Sequence, residues 1–370
     1  MIKTALSKAT VTAEAVEELA AQLHGVVASV VLLFYSSQHD AREVARLARN
    51  AWPEAHTIGC STSGEIVSGE MTDGAIAAMA IDRTVAVEVS VAVVSDMGDA
   101  SRVDAACQQL GSALHGDVGQ HVGIVLMDGL SGKEEAVMDR LGDLTDLRFI
   151  GGSSGDDLAF SATSLIVDGD ALSNAAVLAV LHVPAGYRVI KTQSFCRAGK
   201  QLTPTRVDAA KREVIEFDGK PASEAYCEAV GARTVEEAGT RFMSNPVGLM
   251  DGDEPYVRSP QAFDGHALKF YCAVSEGIEL DLLQSTDILA DTQRALAEAN
   301  SDGRVIGILN FNCILRTLEL KAQNKTHEYA SLFSLPTAGF STYGEANIGH
   351  INQTATMIAF LGVDAGAEPA

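Results

Sequence analysis

The sequence predicts a mixed α/β fold of two lobes, with mixed sheets built from three strand–helix–strand–loop–strand repeats. The first observation behind this is a repeated phrase. Gly59-Cys-Ser-Thr-Ser-Gly-Glu65 and Gly339-Phe-Ser-Thr-Tyr-Gly-Glu345 share the pattern Gly-x-Ser-Thr-x-Gly-Glu, and Gly151-Gly-Ser-Ser-Gly-Asp156 is the same phrase with one residue removed. The second is a matching set of apolar lead runs, Val30-Val-Leu-Leu-Phe34, Val122-Gly-Ile-Val-Leu126 and Val305-Ile-Gly-Ile-Leu309. The third is a matching set of closing runs, Ala75-Ile-Ala-Ala-Met-Ala-Ile81, Ala176-Val-Leu-Ala-Val-Leu181 and Thr354-Ala-Thr-Met-Ile-Ala-Phe360. Each phrase follows a strand, a helix and a second strand and precedes an apolar strand, which is the layout of one module used three times.

Taken in order, residues 27–35 read as a strand and 40–50 as a helix with Ala, Val and Leu on one face. Residues 57–60 form a short strand into the first loop. The run 85–94 alternates Val with polar residues, the period of a half-exposed strand, and 100–114 is helical. The module restarts at His121, with a helix over 133–142 and a strand over 148–150 leading to the second loop. Residues 175–182 and 188–193 are expected to pair as a hairpin around Pro184-Ala-Gly186. Val214-Ile-Glu-Phe217 before Asp218-Gly219 reads as strand and turn, and Pro221 opens a helix. Residues 255–284 suggest two or three antiparallel strands, and 288–299 an amphipathic helix before the third module opens at Arg304. The composition change near residue 220 divides the chain into an N-terminal domain over 26–220, with two modules, and a C-terminal domain over 221–362, with the third.

The chain has 370 residues, 47% hydrophobic and 21% charged, with a formal net charge of −22. That places it among folded globular chains long enough for two domains. The negative field disfavours nucleic acid and anionic membrane as partners. The longest apolar run, 26–35, is too short to span a bilayer, so no membrane span is expected. The first residues lack a signal-peptide pattern, and the six cysteines contain no Cys-x-x-Cys, so a reduced, cytoplasmic protein is expected.

Further phrases accompany the repeats: Asp253-Glu-Pro-Tyr-Val-Arg-Ser259, Phe311-Asn-Cys-Ile-Leu-Arg316 and His350-Ile-Asn-Gln-Thr354. Together with the three repeated phrases they resemble the FIST family over nearly the whole chain. The resemblance implies a cytoplasmic bacterial sensory protein with an N-terminal and a C-terminal FIST domain and a small-molecule ligand such as an amino acid. In the branch called NosP it implies noncovalent haem b, nitric oxide or another diatomic gas as signal, and a sensor histidine kinase or cyclic-di-GMP enzyme as partner. A homo-oligomer is compatible with it.

Candidate site residues follow from side-chain chemistry. Ser61, Thr62, Ser153, Ser154, Ser341 and Thr342 would line a ligand rim, with glycines that let backbone amides face a ligand; the competing reading is three tight turns whose hydroxyls satisfy local backbone groups. His350 is the axial-ligand candidate for haem iron, with Gly344 and Gly349 giving room for a macrocycle and Tyr343 closing one face. Asn352 and Gln353 complete the polar segment. Arg258 suits a carboxylate, either a haem propionate or an amino acid, with Asp251, Asp253 and Glu254 as competing intramolecular partners. Arg316 is a second guanidinium of this kind. Gly151-Gly-Ser-Ser-Gly155 also matches a nucleophile elbow, which requires a helix directly after it, and residues 156–163 are a poor helix start. The readings kept open are a ligand sensor with haem, an amino-acid or small-anion receptor without it, and a serine hydrolase.

Overall fold

We describe residues 1–347 and 349–363 of the chain in a computed structural model. The chain forms two compact units. One contains Met1–Lys191, Thr292–His350 and the described chain from Ala355; the other contains Thr192–Asp291 and Ile351–Thr354.

The larger unit is three six-stranded sheets of one design. In the first, the order is Ile2–Ser7, Ile76–Asp82, Ala28–Ser36, His56–Thr62, Leu165–Val167 and Asp170–Leu172. In the second it is Glu88–Val94, Ala176–His182, His121–Met127, Phe149–Ser153, Glu345–Asn347 and the short strand opening at His350. In the third it is Tyr187–Gln193, Thr354–Leu361, Val305–Cys313, Thr337–Thr342, Glu65–Val67 and Glu70–Thr72. Each sheet therefore reads outer strand, closing strand, lead strand, motif strand, then a two-stranded arm. Lead and motif strands are parallel, joined through helices, while lead and closing strands are antiparallel.

The lead and closing strands are predominantly apolar because helices cover one face and the central core covers the other. The crossover helix Ala41–Ala51 buries Val44, Ala45 and Ala48, and its N-terminus is capped by Asp40, whose side chain accepts from Glu43 N at 2.9 Å. Asp99 caps Ala100–Leu110 in the same way through Ser101 N, also at 2.9 Å.

The arms are exchanged between modules. The arm of the first module pairs with the third motif strand, with Ile66 opposite Gly339. The arm of the third pairs with the second, with Ala346 opposite Gly151. The arm of the second pairs with the first, with Ile166 opposite Gly59. The exchange closes a ring in which no module completes its own sheet.

The same three glycines fix the approach of lead and motif strands. Gly59 stands opposite Leu33, Gly151 opposite Val125 and Gly339 opposite Asn310. A Cβ on each would lie 1.9, 1.7 and 1.8 Å from the partner's carbonyl oxygen, far inside contact distance.

Two expectations are corrected. Residues 175–182 and 188–193 do not form a hairpin: Tyr187–Gln193 crosses to the third sheet and lies beside Thr354–Leu361. It is the outer strand of the third module, as Ile2–Ser7 is of the first and Glu88–Val94 of the second. The module is also longer than the sequence suggests, since each outer strand is followed by a helix: Thr12–Gln22, Ala100–Leu110 and, for the third, Ile288–Ala299. The smaller unit is inserted between the outer strand and that helix of the third module.

The smaller unit holds a four-stranded sheet, Phe195–Leu202, Leu280–Ser285, Val247–Asp251 and Glu254–Arg258. A second sheet runs Pro204–Asp208, Glu213–Phe217, Ala267–Phe270 and Pro260–Asp264, with Lys220–Pro221 paired to Glu213–Phe217. Four strands thus stand where two or three are expected between 255 and 284. Val214, Phe217, Tyr226, Val247, Leu268 and Phe270 form its core.

Gly151→Ala and Gly339→Ala should each destabilise the protein by about 3 kcal/mol or more, since backbone rather than a flexible side chain blocks the methyl. Gly142→Ala, in the helix Glu134–Leu144 with nothing within 4 Å of the new Cβ, should stabilise by about 0.5–1 kcal/mol. Urea unfolding midpoints check both signs.

Candidate functional site

The three motif loops meet and bond pairwise. Between first and third, Ser341 N donates to Gly64 O at 2.8 Å and Ser63 N to Ser341 O at 3.2 Å. Between first and second, Gly155 N donates to Ser61 O at 2.9 Å and Asp157 N to Thr62 O at 3.1 Å. Between second and third, Ser153 N donates to Gly344 O at 2.8 Å and Tyr343 N to Ser153 O at 3.2 Å.

Ser61, Thr62, Ser153, Ser154, Ser341 and Thr342 are each at most 1% exposed. Ser61 Oγ accepts from Ser164 N at 3.0 Å, and Ser154 Oγ donates to Met127 O at 3.1 Å. Thr342 Oγ1 lies 2.8 Å from Ser153 O and 2.7 Å from Gly344 O. Ser341 Oγ bonds Thr317 Oγ1 at 2.8 Å. These contacts are those of hydroxyls that satisfy local groups, whereas the buried Ser153 Oγ has no hydrogen-bond partner. The helix that a nucleophile elbow requires after Ser153 is absent among the described residues, where 154–164 is irregular.

The acid that ends each phrase turns inward. Glu65 is fully buried, bonded to Thr62 Oγ1 and accepting from Ala75 N at 3.0 Å. Burial pushes its carboxyl up to about 8; the bonds from Thr62 and Ala75 oppose the shift and the charges of Asp157 and Asp73 add to it. At Asp156 burial acts in the same direction, but the Tyr343 hydroxyl and the amides of Ser161, Ala162 and Phe160 outweigh it and hold the carboxyl low. Tyr343 in turn is pushed up to about 12, first by burial and then by its bond to Asp156, and its ring stacks on Phe160 at 5.0 Å. Tyr343 thus clasps the second motif loop. That loop holds Asp157, Leu158 and Phe160 at positive φ, a strained course of the kind that surrounding contacts must enforce.

His350 is 7% exposed and its Nδ1 has no hydrogen-bond partner. The imidazole packs against Gly344, where a Cβ would lie 2.0 Å from His350 Cε1. Gly349 has open space around its Cα.

Asn352, Gln353 and Arg258 belong to the smaller unit. Ser259 Oγ donates to Gln353 Oε1 at 2.7 Å, and Gln353 Nε2 donates to Met243 O at 2.9 Å. Asn352 is 1% exposed and its Oδ1 is unpartnered. Arg258 is half-buried, and its guanidinium reaches the carbonyls of Val257 at 3.2 Å and Tyr256 at 3.5 Å. Among the described residues no carboxylate pairs with it; the competing Asp253 lies 3.7 Å from Arg197 instead.

Sequence reasoning missed a buried polar network in the third module. Arg316, 2% exposed, donates from Nε to Asn312 Oδ1 and from Nη2 to Thr292 Oγ1, both at 3.0 Å. Tyr329 OH donates to Asn312 Oδ1 at 3.1 Å, and Asn312 Nδ2 donates to Thr317 Oγ1 at 3.0 Å. Thr317 then meets Ser341, which ties the network to the third loop. Arg316 is therefore committed to the interior rather than offered to a ligand. The available signal was the pair of asparagines, Asn310 and Asn312, interrupting an apolar lead strand.

No group of three metal-ligating side chains is placed to hold an ion, and no helix is long and apolar enough to cross a membrane, among the described residues. Three similar sheets with interlocked loops in one unit, and a second unit of two smaller sheets, define a two-part mixed α/β architecture. The FIST N domain profile matches residues 29–220 and the FIST C domain profile matches residues 222–347; the chain belongs to the FIST family, whose domains are sensory, ligand-binding domains of signal transduction. No curated protein matches the chain. The two profiles part near residue 220, whereas the compact units part at 191/192 and 291/292.

Because the carboxyl of Glu65 rises from about 4.5 in the unfolded chain to about 8 in the fold, the folded state binds its proton more tightly. The resulting stabilisation is complete below about pH 4.5 and is lost as pH rises through about 8. Glu65→Gln should remove this slope, and denaturant unfolding of both proteins between pH 5 and 8.5 measures it.

Proposed function

We propose that this chain is a non-catalytic FIST sensor that binds a small carboxylate-bearing molecule through Arg258 and the polar segment Asn352–Gln353, and passes the signal to a protein partner. The observation that carries this reading is the Ser259–Gln353 bond. It joins two phrases far apart in sequence, 253–259 and 350–354, inside one unit. Next to these two residues in sequence come Arg258, whose guanidinium has no carboxylate partner among the described residues, and Asn352, whose buried Oδ1 has no donor. A planar fork of donors fits a carboxylate bidentately, and an orphaned buried acceptor suits a ligand ammonium or amide. An amino acid supplies both groups.

A second reading is favoured by His350. Its buried, unpartnered Nδ1 fits the donor that an axial haem ligand requires, although Gly344 closes one side of the ring. Haem b, when bound, would supply an iron that takes up a diatomic gas such as nitric oxide. In this reading His350 would hold the iron. The partner is then a sensor histidine kinase or a cyclic-di-GMP enzyme, as the haem-binding branch of the family implies. The strongly negative chain, at −22, argues for a protein rather than a nucleic-acid target.

Calorimetric titration with a panel of amino acids and simple carboxylates tests the first reading. Binding should weaken at least tenfold in Arg258→Ala, about 1.4 kcal/mol or more, and remain in His350→Ala. Haem titration followed by absorption tests the second, with the Soret shift lost in His350→Ala. Absence of both kinds of binding in the wild type contradicts both readings.

A further inference from the structure

Three clefts of similar size open on the described molecule, and they differ in chemistry. One of about 380 Å³ lies between Ala100–Leu110 and Glu134–Leu144 and is lined by Asp104, Arg140 and His115. Another of about 390 Å³, in the smaller unit, is lined by Lys200, Asp218, Lys220 and Glu228. The third, of about 410 Å³, has no ionisable side chain in its lining. Its wall is Ile190, Leu296, Val305, Ile308, Leu332 and Phe333, with Gln293, Asn300 and Ser334 as polar members. It lies in the third module, between the helix Ile288–Ala299 and the segment following Thr326–Ser331.

Both banks of this cleft are anchored from outside it. On one, the Arg188 guanidinium bonds Ala299 O at the helix end and pairs with Asp302 at 2.6 Å. On the other, Ser68 Oγ donates to Leu335 O and accepts from Thr337 N, both at 2.8 Å. An apolar gap whose walls are not pinned would tend to close, since interiors pack densely and exposed apolar area is unfavourable. Here each bank is fixed by bonds to residues outside the cleft. Asn300 Oδ1 accepts from Val305 N at 3.1 Å, which turns the amide so that its Nδ2 remains to donate.

We infer that this cleft is a second small-molecule site, for an uncharged and largely apolar compound carrying one hydrogen-bond acceptor for Asn300. Its volume lies within the range of ligand pockets, roughly 300–1,000 Å³. A charged ligand would lose its hydration with nothing to pair against, so the carboxylate-bearing ligand proposed for Arg258 does not belong here. The inference is independent of that reading.

The test is fluorescence titration of the full chain with N-phenyl-1-naphthylamine, an uncharged aromatic probe. Saturable binding at one probe per chain is expected. Ala297→Trp and Ser334→Trp, both at exposed lining positions, should each weaken it at least tenfold by filling the cleft. Gln201→Trp, in the charged cleft of the smaller unit, and Arg258→Ala should leave it unchanged. No saturable binding, equal binding in the two cleft-filling variants, or an equal loss in Gln201→Trp would overturn the inference. Loss of amino-acid or haem binding in Arg258→Ala with probe binding intact separates this site from the one proposed above.

Discussion

Where each motif strand passes its lead strand, the backbones approach so closely that no side chain fits between them, and glycine stands there three times, at positions 59, 151 and 339. That approach places the following Ser/Thr loops where they can bond one another in pairs. Once the loops are locked, each arm emerges beside a neighbouring module rather than its own, and the exchange of arms closes the ring. The hydroxyls are short because the loops meet in the interior, where each must find a local partner or remain unsatisfied. A larger residue at any of the three glycines would disturb a neighbouring sheet as well as its own.

The inserted smaller unit explains how a repeated scaffold acquires a single polar site. Residues 192–291 leave the third module between its outer strand and its helix, and residues 351–354 return to that unit before the closing strand begins. The first and second modules make no such excursion. Only the third therefore carries the sequence His350-Ile-Asn-Gln-Thr354, and there a motif-flanking segment meets Ser259 within one compact body. The scaffold supplies rigidity, and departures from the repeat supply the groups a ligand would recognise.

Much of the scaffold is legible in sequence because the repeat is written in residues with strict geometric roles. The glycines, the apolar lead and closing runs and the helix over 288–299 follow from spacing alone. The exchange of arms is not legible: Glu65–Val67, Leu165–Val167 and Glu345–Asn347 are too short to reveal their partners, and nothing local distinguishes pairing within a module from pairing across modules. The mistaken hairpin at 175–193 has the same origin, since Pro184-Ala-Gly186 looks like a turn whether the next strand folds back or crosses to another sheet. At the site, the chemistry of Arg258 and His350 is visible as residue types. The burial of the Ser/Thr loops and the Arg316–Asn312–Tyr329 network depend on long-range packing that no local pattern encodes.

The central claim is that the three modules form one cooperative body despite the insertion within the third. Native-state hydrogen exchange under increasing guanidinium tests this most directly, read at the amides of the three motif strands, His56–Thr62, Phe149–Ser153 and Thr337–Thr342. The account predicts that their protection merges into one unfolding transition with a common free energy and denaturant dependence. A Thr337–Thr342 strand that opens at markedly lower free energy, while the other two stay protected, would contradict it.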